Sequence, residues 1–192
     1  MAYSKVSRGA SEYLSHKLNY PDEKKEILAY GLENLIFTSL SLLAIILVGW
    51  VLQVGQESLV AIIAGATLRK FSGGSHRATA LGCIVFGAVT YPPAAWLAHF
   101  VFASYGPLGW LPGSLLGLVI LVTVNRYAPV DSPGKPIVSP EFKKHLHRAS
   151  LVVAAAFILV ALALGKTSLG LAIFAGLSMQ TVSLLPICNI RR

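Results

Sequence analysis

Long apolar runs dominate the pattern of hydrophobic and polar positions along this chain. None of these runs contains Asp, Glu, Lys or Arg, and most of them approach the roughly 20 residues that a membrane-spanning helix needs. The pattern predicts one spanning helix for each of six runs, at residues 35–52, 58–68, 78–103, 107–124, 150–165 and 168–187.

The second run, 58–68, is the weakest of the six because it is short for a full crossing. Two interpretations stay open for it. The segment either crosses the membrane, by borrowing residues from its flanks or by using a tilted, thinned membrane, or it is a re-entrant segment buried within the protein.

The start of the chain has a different pattern, with apolar residues at helical spacing over residues 3–18 and charged residues mostly between them. This pattern predicts an amphipathic helix, which either lies in the membrane interface or packs on the protein's own core. Its apolar positions are Val6, Ala10, Tyr13, Leu14 and Leu18. Pro21, followed by two acidic residues, marks the start of a second helix.

The distribution of basic residues predicts the orientation in the membrane. With six crossings, all of the 16 lysines and arginines except Lys166 fall on one side, and the opposite loops 53–57 and 104–106 contain none. Basic residues accumulate in cytoplasmic loops, whereas five crossings would divide them between the two faces. Six crossings therefore place both chain termini in the cytoplasm.

These elements predict an all-α, polytopic integral membrane protein with about six transmembrane helices and an N-terminal amphipathic interfacial helix. Residues 1–33 form the cytoplasmic N-terminal region, 34–187 the transmembrane domain and 188–192 a cytoplasmic tail. Within the transmembrane domain, 69–77 and 125–149 are the two cytoplasmic loops.

Composition supports this class. Hydrophobic residues make up 55% of the chain and charged residues 12%, against the roughly 25% charged residues of soluble domains. A net charge of +8 suits nucleic acid, an anionic membrane or an acidic substrate, and the apolar runs favour the last two. Without a basic patch interleaved with aromatic residues, no nucleic-acid partner is expected. The two cysteines are too few for a disulfide framework.

The first cytoplasmic loop places His76 seven residues before Cys83, at a predicted membrane boundary. An imidazole can take the proton of a thiol, and the thiolate is the nucleophilic form. One continuous helix would separate the two residues by about 10 Å along its axis. Catalysis therefore requires a loop that folds back, which Gly73 and Gly74 permit, or a helix that starts near Thr79 as N-cap. On spacing alone, a buried thiol and a solvated imidazole are the more common arrangement.

The second cytoplasmic loop combines a proline-rich stretch with a short basic helix over 141–148. The basic side chains either hold the loop against anionic headgroups or grip an acidic peptide. His145 and His147 diverge on a helix and have no third ligand beside them, so no metal site is expected. The structural interpretation is preferred for His16, His99 and Cys188.

Taken together, these motifs resemble the accessory gene regulator B family of bacterial peptide quorum-sensing systems. The resemblance covers about residues 20–185. It is carried by three groups of residues: Arg69, Gly74, His76, Thr79 and Cys83; Tyr30-Gly31-Leu32-Glu33; and Ala128-Pro129, Asp131, Lys135-Pro136 and the lysines that follow. Arg77 departs from the family pattern, in which smaller residues are common after the histidine.

The resemblance implies a cysteine endopeptidase of the bacterial cell membrane that needs no cofactor. His76 would be its general base and Cys83 its nucleophile. Cys83 would release the C-terminal tail of a small propeptide and hold the remainder as a thioester, which an internal cysteine or serine closes to a thiolactone or lactone. The amides near Gly82 and Cys83 are candidates for an oxyanion hole, and Glu33 and Asp131 for orienting His76.

The remaining matched and basic residues are predicted to bind substrate: Arg69, Gly74, Arg77, Thr79, Lys135, Lys143 and Lys144. The expected partners are an amphipathic propeptide, anionic lipids and, as an open alternative, a second subunit that shields the short segment. Two rival functions are a non-catalytic membrane scaffold and a small peptide transporter. The apolar character of the spans argues against the transporter.

Overall fold

The structure is a computed structural model, and it describes residues 5–74, 79–130, 139–164 and 167–186. Seven α-helices and one 3-10 turn, Gly106–Gly109, make up the described residues, with no strand among them. The helices are α1 (Lys5–Leu18), α2 (Asp22–Val51), α3 (Gly55–Ser72), α4 (Ala80–Tyr105), α5 (Trp110–Tyr127), α6 (Pro140–Ala163) and α7 (Ser168–Val182). The predicted all-α class is confirmed, and each of the six apolar runs lies in its own helix, α2 to α7.

Three helical segments are long and apolar enough to cross a membrane: Lys24–Val51, Leu81–Tyr105 and Pro140–Ala163. Leu111–Tyr127 and Ser168–Val182 are apolar but shorter. The protein is thus an all-α membrane protein, and the number of six crossings stays a prediction. The short run 58–68 belongs to the 18-residue helix α3, which is about 27 Å long at 1.5 Å per residue. This helix includes residues from both flanks of the run, and whether it crosses the membrane or is re-entrant stays a prediction.

The chain divides into two compact units, Met1–Leu43 and Ala44–Arg192, and the boundary falls within α2. In the first unit, the buried side of α1 is formed by serines, Ser7, Ser11 and Ser15. The apolar residues Val6 and Tyr13 are instead 70% and 66% exposed.

The second unit is built around α7, whose residues are mostly buried and which packs against α3, α4, α5 and α6. Small residues allow the closest of these contacts. A Cβ at Gly176 would collide with the carbonyl of Ala61 in α3, and one at Gly65 would lie 2.9 Å from the carbonyl of Gly176. In a lipid environment, close backbone approach of this kind supplies the van der Waals contact that holds helices together.

A buried carboxylate ties three helices together at one end of this unit. Glu57, in the first turn of α3, is 8% exposed. Its Oε1 accepts hydrogen bonds from Nδ1 of His99 in α4 and from Oγ of Ser168 in α7, both at 2.8 Å. Polar groups in an apolar setting need such partners. His99 therefore has the structural surroundings that the sequence analysis expected for it.

Candidate functional site

The N-terminus of α4 places Cys83 one turn into a capped helix. Thr79 is the N-cap, with extended backbone angles of φ −126° and ψ 149°, and its side chain accepts a hydrogen bond from the Gly82 amide at 3.1 Å. The Cys83 amide donates to the Thr79 carbonyl at 3.2 Å. Because the helix starts after Thr79, Cys83 is not in one continuous helix with His76, which is one of the two conditions for catalysis stated above.

The Cys83 side chain is a free thiol of intermediate exposure. The cap uses the amides of Gly82 and Cys83 as donors, so both of these oxyanion-hole candidates already have acceptors. The amides of Ala80 and Leu81 precede the first intrahelical hydrogen bond and are better placed to stabilise an anion.

The residues predicted to act with Cys83 are only partly described. His76 and Arg77, together with Asp131 and Lys135, lie outside the described residues. The segment that contains His76 is bounded by Gly74 and Thr79, and five peptide links span at most about 18 Å. Glu33, a candidate for orienting His76, accepts a hydrogen bond from Ser7 Oγ at 3.3 Å within the first unit.

The end of α3, which leads into the His76 segment, is held by Gln180 of α7. Gln180 Nε2 donates to Ser72 Oγ at 3.1 Å and to the Gly73 carbonyl at 2.7 Å, and its Oε1 accepts from Arg69 Nη1 at 3.2 Å. At Gly74, where φ is +135°, a Cβ would lie 2.5 Å from Ser183 Oγ. Arg69 and Gly74 thus have structural contacts, while their role in substrate binding stays a prediction.

The two loops that were singled out in the sequence meet at this point. The Val130 amide donates to the Ser72 carbonyl at 2.9 Å, and Gly73 and Val130 form an isolated parallel bridge. Gly73 has a φ of +66°, and a Cβ there would collide with the Val130 carbonyl. Only glycine fits this joint without strain. We call the contact among Ser72, Gly73, Val130 and Gln180 the loop junction.

A groove begins at Ala128 and Pro129, the two residues before Val130. We call it the basic groove because its other lining residues are lysine, histidine and arginine. It has a volume of about 270 Å³ and is lined by Ala128, Pro129, Lys143, Lys144, His147 and Arg148. Nδ1 of His147 is 2.9 Å from the Ala128 carbonyl, and because a carbonyl only accepts, this nitrogen carries the proton. The groove thus gathers several cationic side chains of α6 against the second loop. Among the described residues, no three His, Cys, Asp or Glu side chains are grouped to hold a metal ion.

Sequence analysis missed Gln180. One signal could have indicated it: an amide side chain occurs within the otherwise apolar run 168–187, and a buried amide needs hydrogen-bond partners. The sequence could not show which loop supplies those partners.

The fold and the site define a class, an all-α membrane protein with a free thiol at a capped helix N-terminus and a contact between two loops at the end of α3. The model of the family described as accessory gene regulator B matches residues 7–184. The chain belongs to this family, the AgrB family of quorum-sensing accessory gene regulators.

Relatives that are called AgrB-like match this chain over most of their length. A Clostridium perfringens strain 13 protein called AgrB-like is 30% identical over 81% of this chain and 73% of its own length. A second, from strain SM101 of the same species, is 29% identical over 96% and 92%. An AgrB-like protein of Listeria monocytogenes is 22% identical over 95% and 88%. No solved structure matches the chain.

The cap of α4 gives the first testable prediction. Thr79→Val keeps the side-chain shape but removes the acceptor for the Gly82 amide, which costs about 1 kcal/mol of stability. Thermal unfolding in detergent micelles, followed by tryptophan fluorescence, is expected to show a midpoint lowered by about 2–4 °C. Thr79→Ser retains the hydroxyl and is expected to unfold near the wild-type midpoint. Equal midpoints for the two variants would contradict the cap.

Proposed function

We propose that this protein is a membrane cysteine endopeptidase that removes the C-terminal tail of a small quorum-sensing propeptide and cyclises the remainder. The observation that carries the proposal is the position of Cys83, a free thiol of intermediate exposure in the first turns of α4, immediately after the segment that contains His76. Membership of the AgrB family supports the quorum-sensing context.

The first chemical step transfers an acyl group to Cys83. His76 takes the thiol proton, and the thiolate attacks the carbonyl carbon at the cleavage point. The C–N bond breaks, and the amine of the departing tail takes the proton from the imidazolium of His76. The amides at the start of α4 stabilise the oxyanion of the tetrahedral intermediate. The product is a thioester between Cys83 and the N-terminal part of the propeptide.

The second step closes the ring. An internal thiol or hydroxyl of the bound peptide loses its proton to His76 and attacks the thioester carbonyl. The bond from carbon to the Cys83 sulfur breaks, a thiolactone or lactone forms, and the proton from His76 restores the Cys83 thiol. Water would compete at the thioester, so a partly dry site at the membrane edge protects the intermediate.

The free energy of the overall reaction is unfavourable unless a product is removed. Exchange between a thiol and a thioester is nearly balanced, whereas conversion of an amide into a thioester is uphill. Product therefore accumulates only when the released tail or the cyclic peptide is removed. The membrane concentrates an amphipathic propeptide and raises its local supply.

The basic groove is suited to bind an acidic tail. Lys143, Lys144 and Arg148 are exposed cations on one end of α6, and His147 fixes that end to the second loop through the Ala128 carbonyl. The loop junction then connects the groove with the residues that precede His76. Anionic lipid headgroups are a second proposed partner for the same cations. A second copy of the chain is a third proposed partner, which would cover apolar surface of the helices.

Co-expression with the propeptide tests the peptidase directly. Wild-type protein is expected to release the tail and leave a product one water lighter than the linear truncated acid. Cys83→Ala and His76→Ala are expected to abolish both changes in mass, with protein levels checked by immunoblot. Tail release that survives Cys83→Ala would contradict the mechanism and favour the scaffold or transporter.

Charge reversal tests the groove. Lys144→Glu is expected to raise the KM for tail release about 3- to 10-fold with little change in kcat, because it weakens ground-state binding of an acidic tail by about 1 kcal/mol. The increase should shrink at high salt, since exposed charges are screened. Lys144→Arg keeps the charge and should behave as wild type. An equal rise in KM for a propeptide with an uncharged tail would count against this role.

A further inference from the structure

The Gln180 amide uses both its donor and its acceptor, although it lies in an apolar helix. The residue is 1% exposed, and its three hydrogen bonds go to Arg69, Ser72 and Gly73. All three partners belong to the end of α3 or the residue that follows it. A buried amide without partners would destabilise the fold by about 1–3 kcal/mol. The three hydrogen bonds avoid this cost, and they hold the Gln180 side chain at the end of α3.

That place is the attachment point of the His76 segment. Gly73 and Gly74 have positive φ values, and a Cβ at Gly74 would lie 3.2 Å from Gln180 Nε2. The backbone therefore leaves α3 directly against the Gln180 side chain. Because α7 also packs against α4, the same helix contacts both the start of the His76 segment and the helix that carries Cys83.

We propose that Gln180 is a positioning residue for the peptidase, a role that rests on the proposed function. Its amide fixes the loop junction and thereby the position from which the chain continues past Gly74 toward His76. An amide suits this task because the Gly73 carbonyl needs a donor while Arg69 needs an acceptor. Leucine offers neither group, and glutamate offers an acceptor to Arg69 but no donor to Gly73.

Other residues also hold α7 in place. Ala172, Gly176 and Leu177 are buried in the α7 packing, and Ser168 bonds to Glu57 at the opposite end. Loss of Gln180 is therefore expected to release the loop junction while α7 stays in place. Ser168→Ala removes one tertiary hydrogen bond from the same helix and is the matched control.

The test compares three variants of the full chain: Gln180→Leu, Gln180→Glu and Ser168→Ala. All of them, and the wild-type reference, also contain Cys188→Ser, so that Cys83 is the one remaining thiol. Two quantities are measured: kcat and KM for tail release, and the rate of Cys83 alkylation as a function of pH, with His76→Ala as reference. Glutamate has nearly the same shape as glutamine, so Gln180→Glu tests the positioning role if Gln180→Leu does not fold.

Both Gln180 variants are expected to lower kcat about 10- to 100-fold, the size of effect that a displacement of about 1 Å produces in a catalytic group. KM should change by less than about three-fold, because groups that act only in the transition state affect kcat. The pH profile of alkylation should shift toward that of His76→Ala. Ser168→Ala should leave both readouts at wild-type values.

Wild-type kcat and alkylation in the Gln180 variants would overturn the positioning role, and the proposed function would stand as long as Cys83→Ala is inactive. Tail release by Cys83→Ala would instead overturn the proposed function and the positioning role with it. An equal loss of kcat in Ser168→Ala would assign the effect to α7 as a whole and also overturn the inference.

Discussion

The backbone contact between α3 and α7 is the constraint on which the rest of the site depends. Gly176 leaves no space for a Cβ against the Ala61 carbonyl, and Gly65 faces Gly176 in return. This approach brings the last turns of α7 beside the end of α3, where Gln180 can reach Ser72 and Gly73. Without small residues at these positions, the side chains would hold the two helices apart and the amide would lose its partners.

The two ends of the same helix pair have polar contacts of different character. At one end, Glu57 accepts hydrogen bonds from His99 and Ser168, and these bonds join α3, α4 and α7. At the other end, Gln180 holds loop backbone, and Val130 continues the chain of contacts from Ser72 toward the basic groove. The first arrangement stabilises the helices, while the second connects the segment before His76 with the cations proposed to bind the tail.

Sequence reasoning predicted the helices well because their signals are local. The apolar runs indicate α2 to α7, and a helix that starts near Thr79, a residue type that caps helices, was one of the two arrangements stated for Cys83. The extension of α3 beyond 58–68 was part of one of two stated interpretations. In α1, by contrast, spacing predicted an apolar face but could not show that serines form the buried side.

The candidate site was only partly predictable because its contacts are distant in sequence. Residue type and position singled out Cys83 and the basic residues of α6, and the resemblance to the family favoured catalysis over the buried thiol that spacing alone indicates. The bonds from Gln180 to Gly73 and from Val130 to Ser72 join segments that are far apart along the chain. One sequence contains no information on which helix faces meet, so neither the loop junction nor the groove could be derived from it.

The central claim is that Cys83 carries the propeptide as a thioester. The most direct measurement is the intact mass of the protein after incubation with a propeptide whose internal nucleophile is replaced by alanine, so that cyclisation is blocked. The account predicts a mass increase equal to the linear truncated acid less one water, absent in Cys83→Ala and reversed by hydroxylamine. Release of the tail without any adduct, or an adduct that persists in Cys83→Ala, would contradict it.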